Sequence, residues 1–125
     1  MRSAATLYAK HLDAMAAFYG SCFGMKEVAA EAGDYRVLES DGWTLTIVQV
    51  PADVAATIEL ADPPARRDGT PIKLSLDVPS VTAVWQAILK GGGRVDDEVW
   101  EFRGFRHCDF VDPEGNVGQL REPIA

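Results

Sequence analysis

Apolar side chains recur twice along the chain at the i, i+3, i+4, i+7, i+8 spacing of one helical face. Met15, Phe18, Tyr19, Cys22 and Phe23 form the first stripe, and Val81, Val84, Trp85, Ile88 and Leu89 the second. Each stripe predicts an amphipathic helix, with Trp85 in the core. Asp13 and Ser80 stand where a side-chain oxygen can accept a first-turn backbone N–H, and Gly24 and Gly91 stand where the helices end. A short apolar run precedes each helix, at 7–9 and 74–76. After each helix the period shortens to that of strands, at 26–30, 35–39 and 43–50, then at 94–98, 105–111 and 117–121. Asp41-Gly42 and Glu114-Gly115-Asn116 supply turns before the last strand of each set.

The order β-α-β-β-β therefore occurs twice, in a module over 4–50 and a module over 71–122 of one 125-residue domain, an α+β fold. Residues 51–70, with Pro63-Pro64 and Arg66-Arg67-Asp68-Gly69, read as the linker, with a short strand expected at 57–60. A four-stranded sheet with one helix on one face leaves its other face to be covered. Two modules placed edge to edge are expected to curve their open faces into a shared cleft, the natural ligand site.

Composition narrows the function classes. With 47% hydrophobic and 25% charged residues the chain has the balance of a globular domain, and no apolar run approaches the roughly 20 residues needed to cross a bilayer as a helix. Lys10, His11 and Asp13 interrupt the start before any export signal could form. Cys22 and Cys108 match no metal knuckle and are read as reduced thiols of a cytoplasmic protein. A formal net charge of −7 argues against nucleic acid and anionic membranes and favours cationic ligands.

The double β-α-β-β-β pattern, with FYGSCFGM on the first helix, GGGRV after the second and DPEGNVGQL before the end, resembles the vicinal oxygen chelate superfamily. This is the group of glyoxalases, bleomycin-resistance proteins and extradiol dioxygenases. The Asp112-Pro-Glu-Gly-Asn116 segment also has turn chemistry of its own: proline presets φ, Gly115 supplies a conformation costly for other residues, and Asp112 and Asn116 can bond nearby backbone. The resemblance implies a divalent metal held by His or Glu from the first and last strand of each module, and pairing into a homodimer. Carried onto this sequence, those positions fall near Ala4, near Pro71, at Gln119 and within 44–49. None offers an imidazole or a carboxylate, so neither the usual metal nor any other cofactor is expected.

Other chemistry is sparse. His11 and His107 lie in no metal-binding spacing, and His107 and Cys108, adjacent in a strand, point to opposite faces and make a poor dyad. Gly91-Gly92-Gly93 follows a helix instead of opening one, so it ends that helix and cradles no phosphate. His107, Glu101 and Glu39 remain as candidate acids or bases. Trp43, Gln49, Trp100, Phe102, Arg103, Phe105 and Gln119 are the candidate ligand-binding residues. Trp100 and Phe102 have an alternative use, covering a sheet edge or a subunit interface.

Two functions are expected to compete. One is a metal-free protein binding a small aromatic or cationic molecule in the inter-module cleft. The other is a lyase, isomerase or dioxygenase-type enzyme, using either unconventional ligands such as Gln49, Gln119 and His107 or a metal-free acid or base. A third reading, a dimeric interaction module, has no feature of its own in its favour. Exposed sheet edges give a physical motive for a homodimer.

Overall fold

The computed structural model describes residues 2–124. Its elements run β1 (Ser3–Ala9), α1 (Leu12–Phe23), β2 (Lys26–Glu31), β3 (Tyr35–Ser40), β4 (Trp43–Gln49), α2 (Ala52–Ala55), β5 (Leu74–Asp77), α3 (Val81–Lys90), β6 (Arg94–Phe102), β7 (Phe105–Val111) and β8 (Val117–Pro123). Two open four-stranded sheets result, ordered β1-β4-β3-β2 and β5-β8-β7-β6. The outer pairs β1/β4 and β5/β8 are parallel and the rest antiparallel. The architecture is the predicted pair of β-α-β-β-β modules. Chain contacts divide it into two compact units, with the boundary between Glu59 and Leu60.

In the first unit Met15, Phe18, Tyr19 and Cys22 of α1 pack on Leu38, Leu45 and Ile47, all buried. In the second, Val81, Val84 and Ile88 of α3 pack on the strands that bury Cys108, Phe110 and Leu120. The predicted stripe is narrower on α3: Trp85 is half-buried and Leu89 is 47% exposed, so only the i, i+3, i+7 positions enter the core. The two cores fill the same space differently. Leu38 faces Leu45 across β3/β4, and Phe110 faces Gly118 across β7/β8. A Cβ on Gly118 would collide with the Phe110 ring, so glycine there makes room for the aromatic.

Helix starts depart from the sequence reading in one case. Ser80 caps α3 as predicted, its Oγ accepting from Ala83 N at 3.2 Å. Asp13 does not cap α1; it lies within the first turn and accepts from Arg36 at 2.8 Å. A tertiary contact replaces the local one: Gln49 Oε1 accepts from Leu12 N at 3.1 Å, while its Nε2 donates to Lys10 O at 2.7 Å. Glu122 does the same for α3, accepting from Val81 N at 2.6 Å.

The linker also differs. Instead of a strand at 57–60, the chain makes the single turn α2, and both the N–H and the hydroxyl of Thr57 return to Val54 O. These donors are then unavailable to a ladder. The second part of the linker belongs to the second unit. Arg67 N donates to Gly115 O at 2.9 Å, and Arg94 donates to Pro64 O at 3.1 Å. Gly115 is required twice, by its φ of 87° and because a Cβ would strike Ala65 O. Asp112, fully buried, fastens this hairpin by accepting from Glu114 N, Asn116 N and Asn116 Nδ2 at 2.9–3.0 Å.

Candidate functional site

Residues that face each other across neighbouring strands share a face of the sheet. His107 on β7 faces Trp100 on β6 and Arg121 on β8, Phe105 faces Phe102, and Gln119 faces Ser75 on β5. All lie opposite the α3 side, where Leu76, Cys108, Phe110 and Leu120 are buried. Together with Arg103 from the β6–β7 turn they line a cavity of about 630 Å³.

His107 is the centre of this wall, 6% exposed. Its ring stacks on Trp100 at 5.5 Å between centroids and 11° between planes, with Phe102 and Phe105 tilted against it at 6.1 and 6.3 Å. Nε2 lies 3.2 Å from Phe102 O, an acceptor only, so Nε2 carries a proton. Nδ1 lies 3.0 Å from Gln119 Oε1. The Gln119 side chain can meet Nδ1 with its oxygen or, turned over, with its NH2, so the contact holds in either orientation of the amide. Ser75 Oγ lies 3.3 Å from the same amide atom and completes the chain.

Two arginines border the aromatic wall. Arg121 is engaged: its guanidinium carbon sits 3.9 Å above the Phe105 ring, and its Nε is 3.4 Å from Asp77, although that N–H is buried and completes no hydrogen bond. Arg103 occupies the two-residue turn with Gly104, at φ 51° and 81°, the signature of a type I′ hairpin. A side chain in that left-handed region costs about 1–2 kcal/mol.

The structure thus gathers six sequence candidates, Trp100, Phe102, Arg103, Phe105, His107 and Gln119, and adds Ser75 and Arg121. Sequence reasoning missed these two, though Arg121 follows Gln119 by one alternation and Ser75 is two positions before Asp77. Glu101 pairs with Arg106 on the opposite face from His107 and is exposed. Glu39, Trp43 and Gln49 belong to the first unit: Glu39 lies beside Thr44 Oγ1 at 3.4 Å, the Trp43 carbonyl accepts from Arg2 at 2.8 Å, and Gln49 holds the start of α1. Cys108 is no nucleophile: burial pushes its thiol up to about 11, and its Sγ donates to Asp96 O. Asp109, nearly buried, accepts from Arg66 and Lys73 through Oδ2, which fastens the linker to the sheet.

The metal implied by the resemblance is tested by the donors present. Pro71 precedes β5, and the residue that pairs with Gln119 is Ser75, six positions before the first residue of α3. Six positions before the first residue of α1 stands Thr6, beyond Ala4, and it pairs with Thr46. The matching pairs are therefore Thr6 and Thr46 in the first unit, two hydroxyls, and Ser75 and Gln119 in the second, a hydroxyl and an amide. Neutral oxygens with no carboxylate in either unit, and in the second unit two arginines lining the same cavity, do not fit a resident divalent ion. Among the described residues no three His, Cys, Asp or Glu side chains gather as a metal site.

Fold and site together define a two-module β-α-β-β-β protein with a ligand-sized cavity. The chain belongs to the Glyoxalase/Bleomycin resistance protein/Dioxygenase superfamily, whose family model matches residues 3–120. A glyoxalase/bleomycin resistance protein/dioxygenase family enzyme from Burkholderia phytofirmans PsJN is similar at 20% identity and TM-score 0.74, with 97% of each chain covered. The fosfomycin resistance protein FosX from Listeria monocytogenes is similar at 18% identity and TM-score 0.71, over 98% of this chain and 90% of that one. A glyoxalase/bleomycin resistance protein from Albidiferax ferrireducens T118 is similar at 20% identity and TM-score 0.65, over 96% of each. At these identities the likeness is one of fold. No curated protein matches the chain by sequence.

Proposed function

We propose that this chain is a small-molecule binding member of the superfamily, working without a resident divalent ion and holding a flat aromatic ligand in the cavity of the second unit. The observation that carries the reading is the stacked Trp100–His107 pair, flanked by Phe102 and Phe105, at the wall of a 630 Å³ cavity. Broad apolar faces bind a planar ring by dispersion and burial, while Ser75 and Gln119 supply hydrogen bonds that orient it. The hydroxyl and amide donors at the family's metal positions support a metal-free site. A FosX variant of this fold holds Mn(II) and a dihydroxypropylphosphonic acid, chemistry for which this donor set offers no anchor.

Two further expectations accompany the reading. The edge strands β2, exposed along its whole length, and β6 favour a homodimer, which light scattering at micromolar concentration tests. Buried, unpaired Cys22 and Cys108 favour a reducing, cytoplasmic setting. For the binding itself, 2-naphthamide is the probe. It should quench tryptophan fluorescence saturably in the wild type and much less in Trp100→Leu, and elemental analysis of the purified protein should find no stoichiometric zinc, nickel, iron or manganese. One equivalent of such a metal, or the absence of saturable binding, overturns the reading.

A further inference from the structure

The charged side chains that line the cavity are of one sign. Its lining contains Arg103 and Arg121 and no Asp or Glu, in a chain whose formal net charge is −7. The two cations are not equivalent. Arg121 is committed to the Phe105 ring and lies beside Asp77. Among the described residues the side chain of Arg103, like that of Arg67 outside this cavity, has no ion-pair or hydrogen-bond partner, whereas Arg2, Arg36, Arg66, Arg94 and Arg106 each donate to an oxygen.

Arg103 also occupies a backbone position that disfavours it. A two-residue hairpin with φ positive at both central residues takes Asn or Gly readily at the first, and Gly104 already serves the second. A turn that needed only to reverse the chain would gain stability with Gly at 103. Instead, the position carries a five-donor planar cation at the edge of an aromatic cavity, beside Phe102, which is 60% exposed. Strain kept at a ligand cavity is a sign of a function located there.

The geometry points to Arg103 as the residue that selects the ligand's charge: it takes the acid group of a flat aromatic acid whose ring lies against Trp100 and Phe102, with Arg121 adding to the field. This rests on the aromatic-binding reading above and adds the charge class. It reverses the preference for cationic ligands drawn from the net charge, because a bound ligand touches the lining side chains, whose only charges are the two arginines, and not the sum over the chain.

The test uses three ligands of one shape, 2-naphthoate, 2-naphthamide and 2-naphthylmethylammonium, titrated calorimetrically into the full chain. Wild type should prefer the carboxylate over the amide about tenfold, an exposed charge-assisted pair being worth less than a buried one, and should bind the ammonium most weakly. The preference should shrink as salt rises. Arg103→Lys should keep part of it. Arg103→Gly should bring the carboxylate-to-amide ratio close to one while raising the thermal midpoint by about 3 °C, since glycine relieves the turn. Equal affinities for carboxylate and amide in the wild type, or an unchanged ratio in Arg103→Gly, overturn the role of Arg103 and leave aromatic binding standing. If none of the three binds saturably, the aromatic-binding reading itself fails.

Discussion

The two units repeat one scaffold and differ in what they place on it. In each, the strand before the helix pairs in parallel with the last strand, and a side chain three residues beyond the paired position reaches back to the first N–H of the helix, Gln49 in one and Glu122 in the other. The open faces diverge. By strand alternation the first sheet presents Ala4, Thr6 and Tyr8 on β1, Thr44, Thr46 and Val48 on β4, and Tyr35, Val37 and Glu39 on β3. The second presents Ser75, Trp100, Phe102, Phe105, His107, Gln119 and Arg121 around a cavity. Folding constrains the helix-facing side of both sheets in the same way, whereas the opposite side is free to specialise, and in this chain the second unit gathers aromatic and cationic side chains around a cavity.

The comparison breaks most readily at the core. Leu38 and Leu45 in the first unit occupy the cross-strand positions held by Phe110 and Gly118 in the second, so two medium side chains are exchanged for a large one and none. Gly118→Ala should destabilise the chain by about 1–3 kcal/mol, because Phe110 is fully buried and its ring cannot step aside. Adding Phe110→Leu should recover part of the loss. Urea unfolding midpoints decide: a neutral Gly118→Ala, or a double variant no better than the single, would show that the two pairs are not alternative fillings of one space.

The helix starts come next. Gln49→Ala removes the acceptor for Leu12 N and the donor to Lys10 O, and should cost about 1–2 kcal/mol. Glu122→Gln keeps an oxygen for Val81 N and loses only the charge facing Arg106, so it should cost under about 1 kcal/mol. Amide exchange in the first turns of α1 and α3 tests the order; equal protection losses would mean that the second helix depends on its ion pair as much as the first does on its amide.

The smallest effect is alkaline. Burial is the main reason that both thiols, Cys22 and Cys108, are raised from 9.0 to about 11. A raised folded-state value means that the unfolded chain releases the proton first. The thiol contribution is therefore complete below pH 9 and is lost as pH climbs from 9 towards 11. Stability should decline over that window, and Cys22→Ala with Cys108→Ala should flatten the decline. An unchanged slope in the double variant would assign the alkaline loss to other groups.

What was legible in the sequence follows from the range of each interaction. Helical stripes and strand alternation are local, so both modules, the Ser80 cap and the Asp112 hairpin could be read directly. The Asp13 cap could not, because the group that satisfies α1 arrives from Gln49, 37 residues away. Cross-strand register is equally non-local. The position expected near Pro71 precedes β5, whereas the ladder sets Ser75 beside Gln119. Trp100, Phe102, Arg103, Phe105 and His107 stand out in the sequence because these five fall on two neighbouring strands and their turn, while Glu101, in the midst of them, is turned away by the same alternation. Arg121 went unnoticed as a wall residue because its position on the final strand acquires meaning only once Phe105 lies beneath it.

The stretch between the units has a practical consequence for where the chain can be lengthened or cut. Residues near α2 make mainly local turns, so an inserted segment or a protease nick there leaves both sheets their own hydrogen bonds. Around Pro64 to Arg67 the chain acts as a clasp, bonded to Gly115 and Arg94 and packed so closely on the hairpin that no side chain fits at 115. A version of the second unit made by itself should therefore begin no later than Leu60. Started at β5, it would leave the Asp112 hairpin open on one side.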